Sequence, residues 1–355
     1  MENSFFATNI TSWYRANKRE LPWRDTQDPY KIWLSEIILQ QTRVKQGLPY
    51  YERFLAAYPD VFALSRASES EVLRLWQGLG YYSRARNLHA CAREIAEKHN
   101  GQFPQNYAGL LKLKGVGAYT AAAIASFAYN ETVAVVDGNV YRVLSRVFGV
   151  KEDISSSGGQ KTFSKLAQEL VPDGMAGEYN QAIMEFGALQ CTPQRPACLL
   201  CPLSSMCYAY QHNEQKSLPV KIKKVKVKKR YFSYIVIRSG EHIFMKLRSQ
   251  KDIWKGLYDF YLLETRQAVE DVQALDDLLL KKVLETSPTV EMSGIYRHQL
   301  THQQLFVRFF IIDVRNTSLA DSLIEGSQLQ AYSVEEVKNL PKPILIDNYL
   351  SEVIF

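Results

Sequence analysis

The sequence predicts an all-α domain of many short helices that closes on a four-cysteine loop, then a basic connector and a small α+β domain. Three observations carry this. Apolar residues recur at helical spacing, in short runs broken by turn residues, through roughly the first 200 positions. Four of the five cysteines fall within the 17 residues from Cys191 to Cys207. After Lys216–Arg230, which holds eight basic residues and no acid, the apolar period becomes that of strands.

A chain of 355 residues is long enough for two domains, and 46% hydrophobic with 23% charged residues is ordinary for a globular protein. No run of about 18 apolar residues suggests a membrane span. The opening MENSFFATNI lacks the basic and apolar regions of an export signal, so a cytoplasmic protein is expected. Charge is uneven. Residues 1–230 hold 30 basic and 20 acidic side chains, and residues 231–355 hold 13 and 17. A basic first part suits a polyanion such as nucleic acid.

Along the first part, Asp28-Pro29 opens a helix, with Asp as cap and Pro at the first helical position. Its apolar face is Ile32, Trp33, Ile37 and Ile38. Helices are expected at Ser68–Gln77, Arg84–Lys98, Tyr119–Ala128, Val140–Phe148, Thr162–Leu170 and Gly177–Leu189. Cys91 falls in one of them and is expected to be a buried thiol. Residues 216–230, basic and interrupted by Pro219, read as an extended linker between domains at 1–215 and 231–355. Beyond it, Tyr231–Arg238 and His242–Leu247 read as a hairpin, Leu305–Val314 as another strand, and Val269–Glu285 and Val334–Leu340 as helices.

Three segments carry chemistry. The cysteine spacing, Cys191-x6-Cys198-x2-Cys201-x5-Cys207, brings four thiolates to one centre, and by ligand count either zinc or [4Fe–4S] fits. Leu113–Thr120 holds Gly115 and Gly117 before an alanine-rich helix, a tight turn that offers backbone N–H groups to a phosphate. The plain alternative is a turn between helices. Val135–Val140 places Asp137 after an apolar run at the mouth of a helix, where it is either an ordinary cap or a shielded, ionised carboxylate.

Together these segments resemble the endonuclease III superfamily of helix–hairpin–helix DNA glycosylases over residues 5–210. The cysteine spacing matches that superfamily's [4Fe–4S] loop, and Asp137, 17 residues after Thr120, matches its essential aspartate. Leu21–Arg24 and Ser35–Val44 narrow the resemblance to the adenine-excising MutY family. The resemblance implies roles for single residues. Glu36 would be the acid that protonates adenine, although by itself a carboxyl on that helix is equally a solvated surface residue. Tyr119 stands where strand-cleaving relatives carry lysine, so an enzyme without lyase activity is expected, with Tyr119 and Asn139 orienting Glu36 and Asp137. Arg24 and Gln181 match positions that contact the flipped adenine. Gln41, Thr42 and Tyr81 match residues that enter the duplex near 8-oxoguanine. Gly115 and Gly117 would hold the DNA backbone.

Residues 231–355 resemble, more weakly, the Nudix-like lesion-reading domain of that family. His298–His302 matches its reading loop, with Thr301 and His302 as the implied contacts and Leu300 where the family has phenylalanine. The acidic box of Nudix hydrolases is missing, which argues against diphosphate hydrolysis. The implied activity is hydrolysis of the N-glycosidic bond of adenine mispaired with 8-oxoguanine or guanine in duplex DNA, in base excision repair. The implied protein is a bacterial, nucleoid-associated monomer. Three rivals remain: a pyrimidine glycosylase and lyase of the same superfamily, a non-catalytic iron–sulfur DNA-binding protein, and a Nudix-type hydrolase, which the missing acidic box disfavours.

Overall fold

A computed structural model describes residues 2–222, 226–287, 289–315 and 317–355, so residues 223–225 of the basic linker lie outside the described residues. The chain divides into two compact units, Met1–Arg66 with Asn87–Lys223, and Ala67–Arg86 with Lys224–Phe355.

The helices of the first two-thirds are α1 (Glu2–Asn17), α2 (Pro29–Leu39), α3 (Val44–Ala57), α4 (Val61–Arg66), α5 (Glu69–Trp76), α6 (Ser83–Lys98), α7 (Tyr107–Leu110), α8 (Ala118–Tyr129), α9 (Gly138–Phe148), α10 (Ser157–Leu170), α11 (Ala176–Leu189) and α12 (Tyr208–Gln211). The expected helices are all present, most within a residue or two of their expected ends, and α10 starts five residues early because Ser156 caps it. Asp28 caps α2 as read, its carboxylate accepting from the Tyr30 N–H at 2.9 Å. Cys91 is fully buried in α6, and burial pushes its thiol up to about 12. Helices α1, α3 and α4 were not foreseen. Gly47 and Pro49 inside α3 are ordinary helix breakers. Helix α1 shows only the sparse series Phe6, Ile10 and Tyr14, which packs into one core with Tyr179, Ile183 and Phe186 of α11. Among the described residues, no helix is long and apolar enough to cross a membrane.

In the second unit, β1 (Lys228–Ser239), β2 (His242–Leu247), β3 (Tyr258–Asp259), β4 (Tyr261–Thr265), β5 (Val290–Met292), β6 (Tyr296–Gln299), β7 (Gln303–Asp313) and β8 (Gln330–Ser333) form a mixed sheet. The hairpin of β1 and β2 is as read, with Ser239 opposite His242. The parallel pairing of β1 with β7, from Lys228↔Gln303 to Arg238↔Asp313, could not be read from local pattern. Strand β1 starts inside the basic run because Arg230 turns inward, where its guanidinium donates to Glu264 and Asp252 at 2.7 to 2.9 Å. Helices α13 (Leu278–Thr286) and α14 (Thr317–Ile324) cover one face over Ile235, Ile237, Phe310 and Ile312. The helix expected over Val269–Glu285 is corrected to α13, preceded by a single 3₁₀ turn, Val272–Ala274. Asp277 sets the start, its carboxylate accepting from the Leu280 N–H. Helices α15 (Val334–Asn339) and α16 (Ile344–Val353) complete the unit, and Tyr349 stacks on Phe309 at 3.7 Å between ring centres.

Helix α11 meets α8 and α9 at glycines. A Cβ on Gly177 would lie 2.6 Å from the Ser126 carbonyl oxygen, and one on Gly187 would lie 2.6 Å from the Asn139 Cβ. Backbone cannot yield as a flexible side chain can, so Gly177→Ala is expected to cost about 1–3 kcal/mol. Urea unfolding of the full chain checks this, and an unchanged midpoint would show that the helices separate freely.

Candidate active site

Helix α2 is apolar nearly all round, and Tyr30 and Ile32 through Ile38 are buried. Glu36 is thereby carried out of water, only 6% exposed, and the solvated-surface alternative is excluded. Burial pushes its carboxyl up to about 7. A hydrogen bond from the Tyr119 hydroxyl and the Arg24 charge pull the other way, while the Asp137 charge adds to the rise. Tyr119, one residue into α8, is itself raised well above the usual phenol value, first by burial and then by Glu36 and Asp137. It therefore stays a neutral donor.

Asp137 caps α9, so the cap reading holds, and the cap donors oppose the rise that burial imposes on this carboxyl. One oxygen accepts from the Asn139 and Val140 N–H groups, each at 2.8 Å, and the other accepts from the Asn139 amide at 2.7 Å. Burial raises its pKa, and these donors together with Arg142 restrain the rise. Arg142 donates to Asn139 Oδ1 at 2.7 Å and to the carbonyls of Cys191 and Gly187 at 2.7 and 2.6 Å. Asn139 is thus held from behind by an arginine anchored on the first cysteine of the loop.

Arg24 lies beside Glu36 and is gripped by Glu185 through two bonds of 2.9 and 2.6 Å. Arg19 grips the same carboxylate at 2.8 and 2.6 Å. Burial pushes the Glu185 carboxyl up, but the hydrogen bonds from Arg19 and Arg24 outweigh it and leave it at about 2. Gln181, one turn before Glu185, accepts from the Tyr14 hydroxyl at 3.0 Å. Sequence reasoning missed Glu185, Arg19 and Arg142. The i, i+4 spacing of Gln181 and Glu185, beside apolar Ala182 and Phe186, was the available signal for the first. Gln41 stands exposed just past α2 in a left-handed conformation (φ +56°), and Thr42 donates to the Gln40 carbonyl at 3.4 Å.

Gly115 adopts φ +75°, and a Cβ there would collide with Asn87 at 2.6 Å; Gly117 precedes α8, with open space around it. The turn therefore requires glycine at 115 and presents a bare backbone at 117. The four cysteines of the loop lie at the end of the helical core, with Cys191, Cys201 and Cys207 packed against it. Cys201 feels the charges of the other three. Arg146 donates to Cys191 Sγ at 3.4 Å and to the Thr192 and Pro193 carbonyls. Among the described residues no group of three or more His, Cys, Asp or Glu is arranged to hold a metal ion. The donor set itself, four thiols on one short loop with Arg146 beside Cys191, suits a four-thiolate centre, zinc and iron–sulfur alike.

In the second unit, Thr301 and His302 are exposed in the turn joining β6 to β7, which the Leu300 N–H closes onto the Gln303 carbonyl at 2.8 Å. The Tyr81 hydroxyl shares a short hydrogen bond with Thr301 Oγ1. Both line a cavity of about 540 Å³ floored by Trp254 and His298.

Both units of the chain resemble known proteins. Residues 34–169 match the HhH-GPD superfamily of base excision DNA repair proteins, and residues 233–352 match the NUDIX domain. The chain is 33% identical over 323 residues to the adenine DNA glycosylase of Buchnera aphidicola subsp. Baizongia pistaciae, covering 90% of this chain and 89% of that one. It is 45% identical over 226 residues to the human adenine DNA glycosylase, covering 61% of this chain and 41% of the human one. Among solved structures, a thermostable thymine-DNA glycosylase aligns with TM-score 0.54 and 31% identity, over 59% of this chain and 97% of that one. An endonuclease III–DNA complex aligns with TM-score 0.52 at 20% identity, over 61% of this chain and 98% of that one, a likeness of fold alone.

A buried carboxyl with a raised pKa destabilises the fold once pH exceeds its unfolded value. Glu36 binds its proton more tightly folded than unfolded, so stability falls as pH climbs from the ordinary glutamate range to about 7. Glu36→Gln removes that loss. The variant is expected to melt a few degrees above the native protein at pH 8, with the gap closing near pH 4.5. An equal gap at both values would mean that Glu36 is not the titrating group.

Proposed function

The chain belongs to the adenine DNA glycosylase family of base excision repair, and on that premise we propose that it excises adenine opposite 8-oxoguanine in duplex DNA by hydrolysis alone. The observation that carries this reading is the pairing of Glu36, buried with its carboxyl raised to about 7, with Asp137, whose two oxygens take three hydrogen bonds that restrain the rise burial imposes.

A base within the stack is out of reach, so the adenosine is flipped into the pocket, at less cost from a mispair than from a matched pair. Glu36 gives its proton to adenine N7, which makes the base a better leaving group. As the C1′–N9 bond breaks, positive charge grows on the sugar, and ionised Asp137 stabilises it. Water then adds to C1′ and loses its proton to Glu36. Free adenine and an abasic site result. Tyr119 holds the Glu36 carboxyl through its hydroxyl, and Asn139, backed by Arg142, holds Asp137. Arg24 and Gln181 bind the edge of the flipped base. Tyr119 has no amine to form a Schiff base, which supports an activity without strand cleavage at this site.

Residues 1–215 serve as the catalytic domain, 216–230 as a linker, and 231–355 as the reader of 8-oxoguanine. Gly115 and Gly117 receive a backbone phosphate. Tyr81, Gln41 and Thr42 enter the duplex beside the lesion, with Thr301 and His302 contacting it. Cys191, Cys198, Cys201 and Cys207 would hold a [4Fe–4S] cluster, whose bonds to the thiolates would tie down the loop on which Arg142 is anchored through the Cys191 carbonyl. Iron and sulfide analysis distinguishes it from zinc. One copy carries the whole residue set, in keeping with a monomer acting on chromosomal DNA in a bacterial cytoplasm.

A duplex bearing one adenine opposite 8-oxoguanine tests the reading. Excision is expected to exceed that opposite thymine, with strand breakage only after alkali and no adduct trapped by borohydride. Glu36→Gln is expected to lose excision while keeping mispair binding, and near-normal turnover would remove the acid role. The native single-turnover rate is expected to fall above about pH 7 as Glu36 loses its proton, and to fall in acid, above the ordinary aspartate value, as Asp137 gains one. A flat profile between pH 6 and pH 9 contradicts the assignment of Glu36, and a rate that does not fall in acid contradicts that of Asp137.

A further inference from the structure

The segment carrying Tyr81 folds within the same compact unit as the C-terminal sheet. Tyr81 adopts φ +49° and is 45% exposed, and it follows Gly78 and Gly80 at φ +97° and +71°. A bulky residue persists in the left-handed region only where its surroundings hold it. Part of the hold is local. Trp76 Nε1 and Arg84 Nη2 both donate to the Gly80 carbonyl, at 3.0 and 3.2 Å, and the Arg84 guanidinium lies 5.6 Å from the centre of the Tyr81 ring.

The rest comes from the far end of the sequence. The Lys342 backbone N–H donates to Gln77 Oε1 at 3.0 Å. The Lys342 carbonyl accepts from the Tyr82 hydroxyl at 3.4 Å, and that hydroxyl accepts from the Gly78 N–H at the same distance. The backbone of one residue therefore touches both feet of the loop 77–82. Lys342 is itself immobile. Its side chain is fully buried, and Nζ donates to the Val337 and Leu340 carbonyls at 2.6 and 3.0 Å, with Asp347 at 3.4 Å. It caps the end of α15 with a cation, where exposed carbonyls favour one.

We propose that Gln77 and Lys342 are positioning residues for the lesion wedge: the turn at 342 fixes both feet of the 77–82 loop, so that Tyr81 meets DNA already in place. The proposal rests on the reading of Tyr81 as the wedge. A loop ordered before binding spares the complex the entropy of ordering it afterwards. Mispair affinity then depends on Gln77, although Gln77 is given no contact with the base or the sugar.

The test uses the full-length protein and a duplex holding 8-oxoguanine opposite a non-hydrolysable adenosine analogue, with 2-aminopurine beside the lesion to report unstacking by the wedge. Gln77→Ala is expected to weaken preference for this duplex over undamaged DNA roughly threefold to tenfold. It is also expected to shrink the fluorescence change of the saturated complex, a signal that partial loss of folded protein does not alter. Gln77→Glu, which keeps the acceptor, restores both. If Tyr81→Ala loses preference and fluorescence while Gln77→Ala keeps them, the positioning role is overturned and the wedge reading stands. If Gln77→Glu fails as badly as Gln77→Ala, the acceptor is not what matters and the role is likewise overturned. If Tyr81→Ala itself behaves as the native protein, the wedge reading falls and the proposal with it.

Discussion

A carboxyl group taken out of water keeps either its proton or its charge, and which one it keeps depends on its neighbours. Glu36 and Asp137 leave water within the same helical unit and meet opposite surroundings. Around Glu36 the α2 side chains are apolar, and the nearest hydrogen-bond donor is a neutral phenol. Around Asp137 there are two helix N–H groups, an amide and the influence of an arginine. Burial raises both carboxyls, and three donors with Arg142 oppose the rise at Asp137, while the Tyr119 hydroxyl and Arg24 oppose it at Glu36. Tyr119, raised by burial and by both carboxyls, keeps its own proton and stays a donor to Glu36.

That contrast needs rigid support, and the support is ionic where the site itself is not. Glu185 is 1% exposed and would be costly alone, but two arginines make four bonds to it. Arg24 is thus fixed beside Glu36 with its charge largely spent on Glu185, which helps explain why it does not overturn the rise in Glu36. On the other side Arg142 fixes Asn139 and reaches the Cys191 carbonyl. Removing Glu185 leaves two arginines without their carboxylate, and removing Arg142 leaves the Asn139 amide unheld, so Glu185, Arg19 and Arg142 govern the site's geometry without belonging to its chemistry.

Local signals in the sequence were sufficient for the parts that depend on neighbours in the chain. The caps at Asp28 and Asp137 and the glycine turn at 115–117 all act within a few residues, and each appears where the sequence places it. What stayed hidden depends on partners far away in sequence. Arg230 belongs to a run of eight cations and reads as solvated, yet it is buried because Asp252 and Glu264 arrive from other parts of the unit. Arg19 looks like a surface residue until α11 brings Glu185 to it. Burial of Glu36 followed from the family resemblance and not from its helix, because periodicity cannot show which residues cover an apolar face. The parallel β1–β7 pairing spans about 70 residues of intervening chain and leaves no local trace.

The same limit explains why the loop around Tyr81 invites misreading. In sequence it sits between two ordinary helices, α5 and α6, and its glycines suggest flexibility. In the fold it is among the more constrained backbones of its unit. Its central carbonyl takes two donors, its feet take two bonds from one distant peptide, and its tyrosine hydroxyl has a partner in Thr301. Glycine at 78 and 80 permits the left-handed path, but hydrogen bonds choose it. Flexibility in composition and rigidity in place are compatible, because glycine widens the conformations open to the unfolded chain while tertiary contacts select one in the folded state. A residue meant to enter a stacked duplex gains from that selection, since whatever order is set in advance need not be created at the moment of binding.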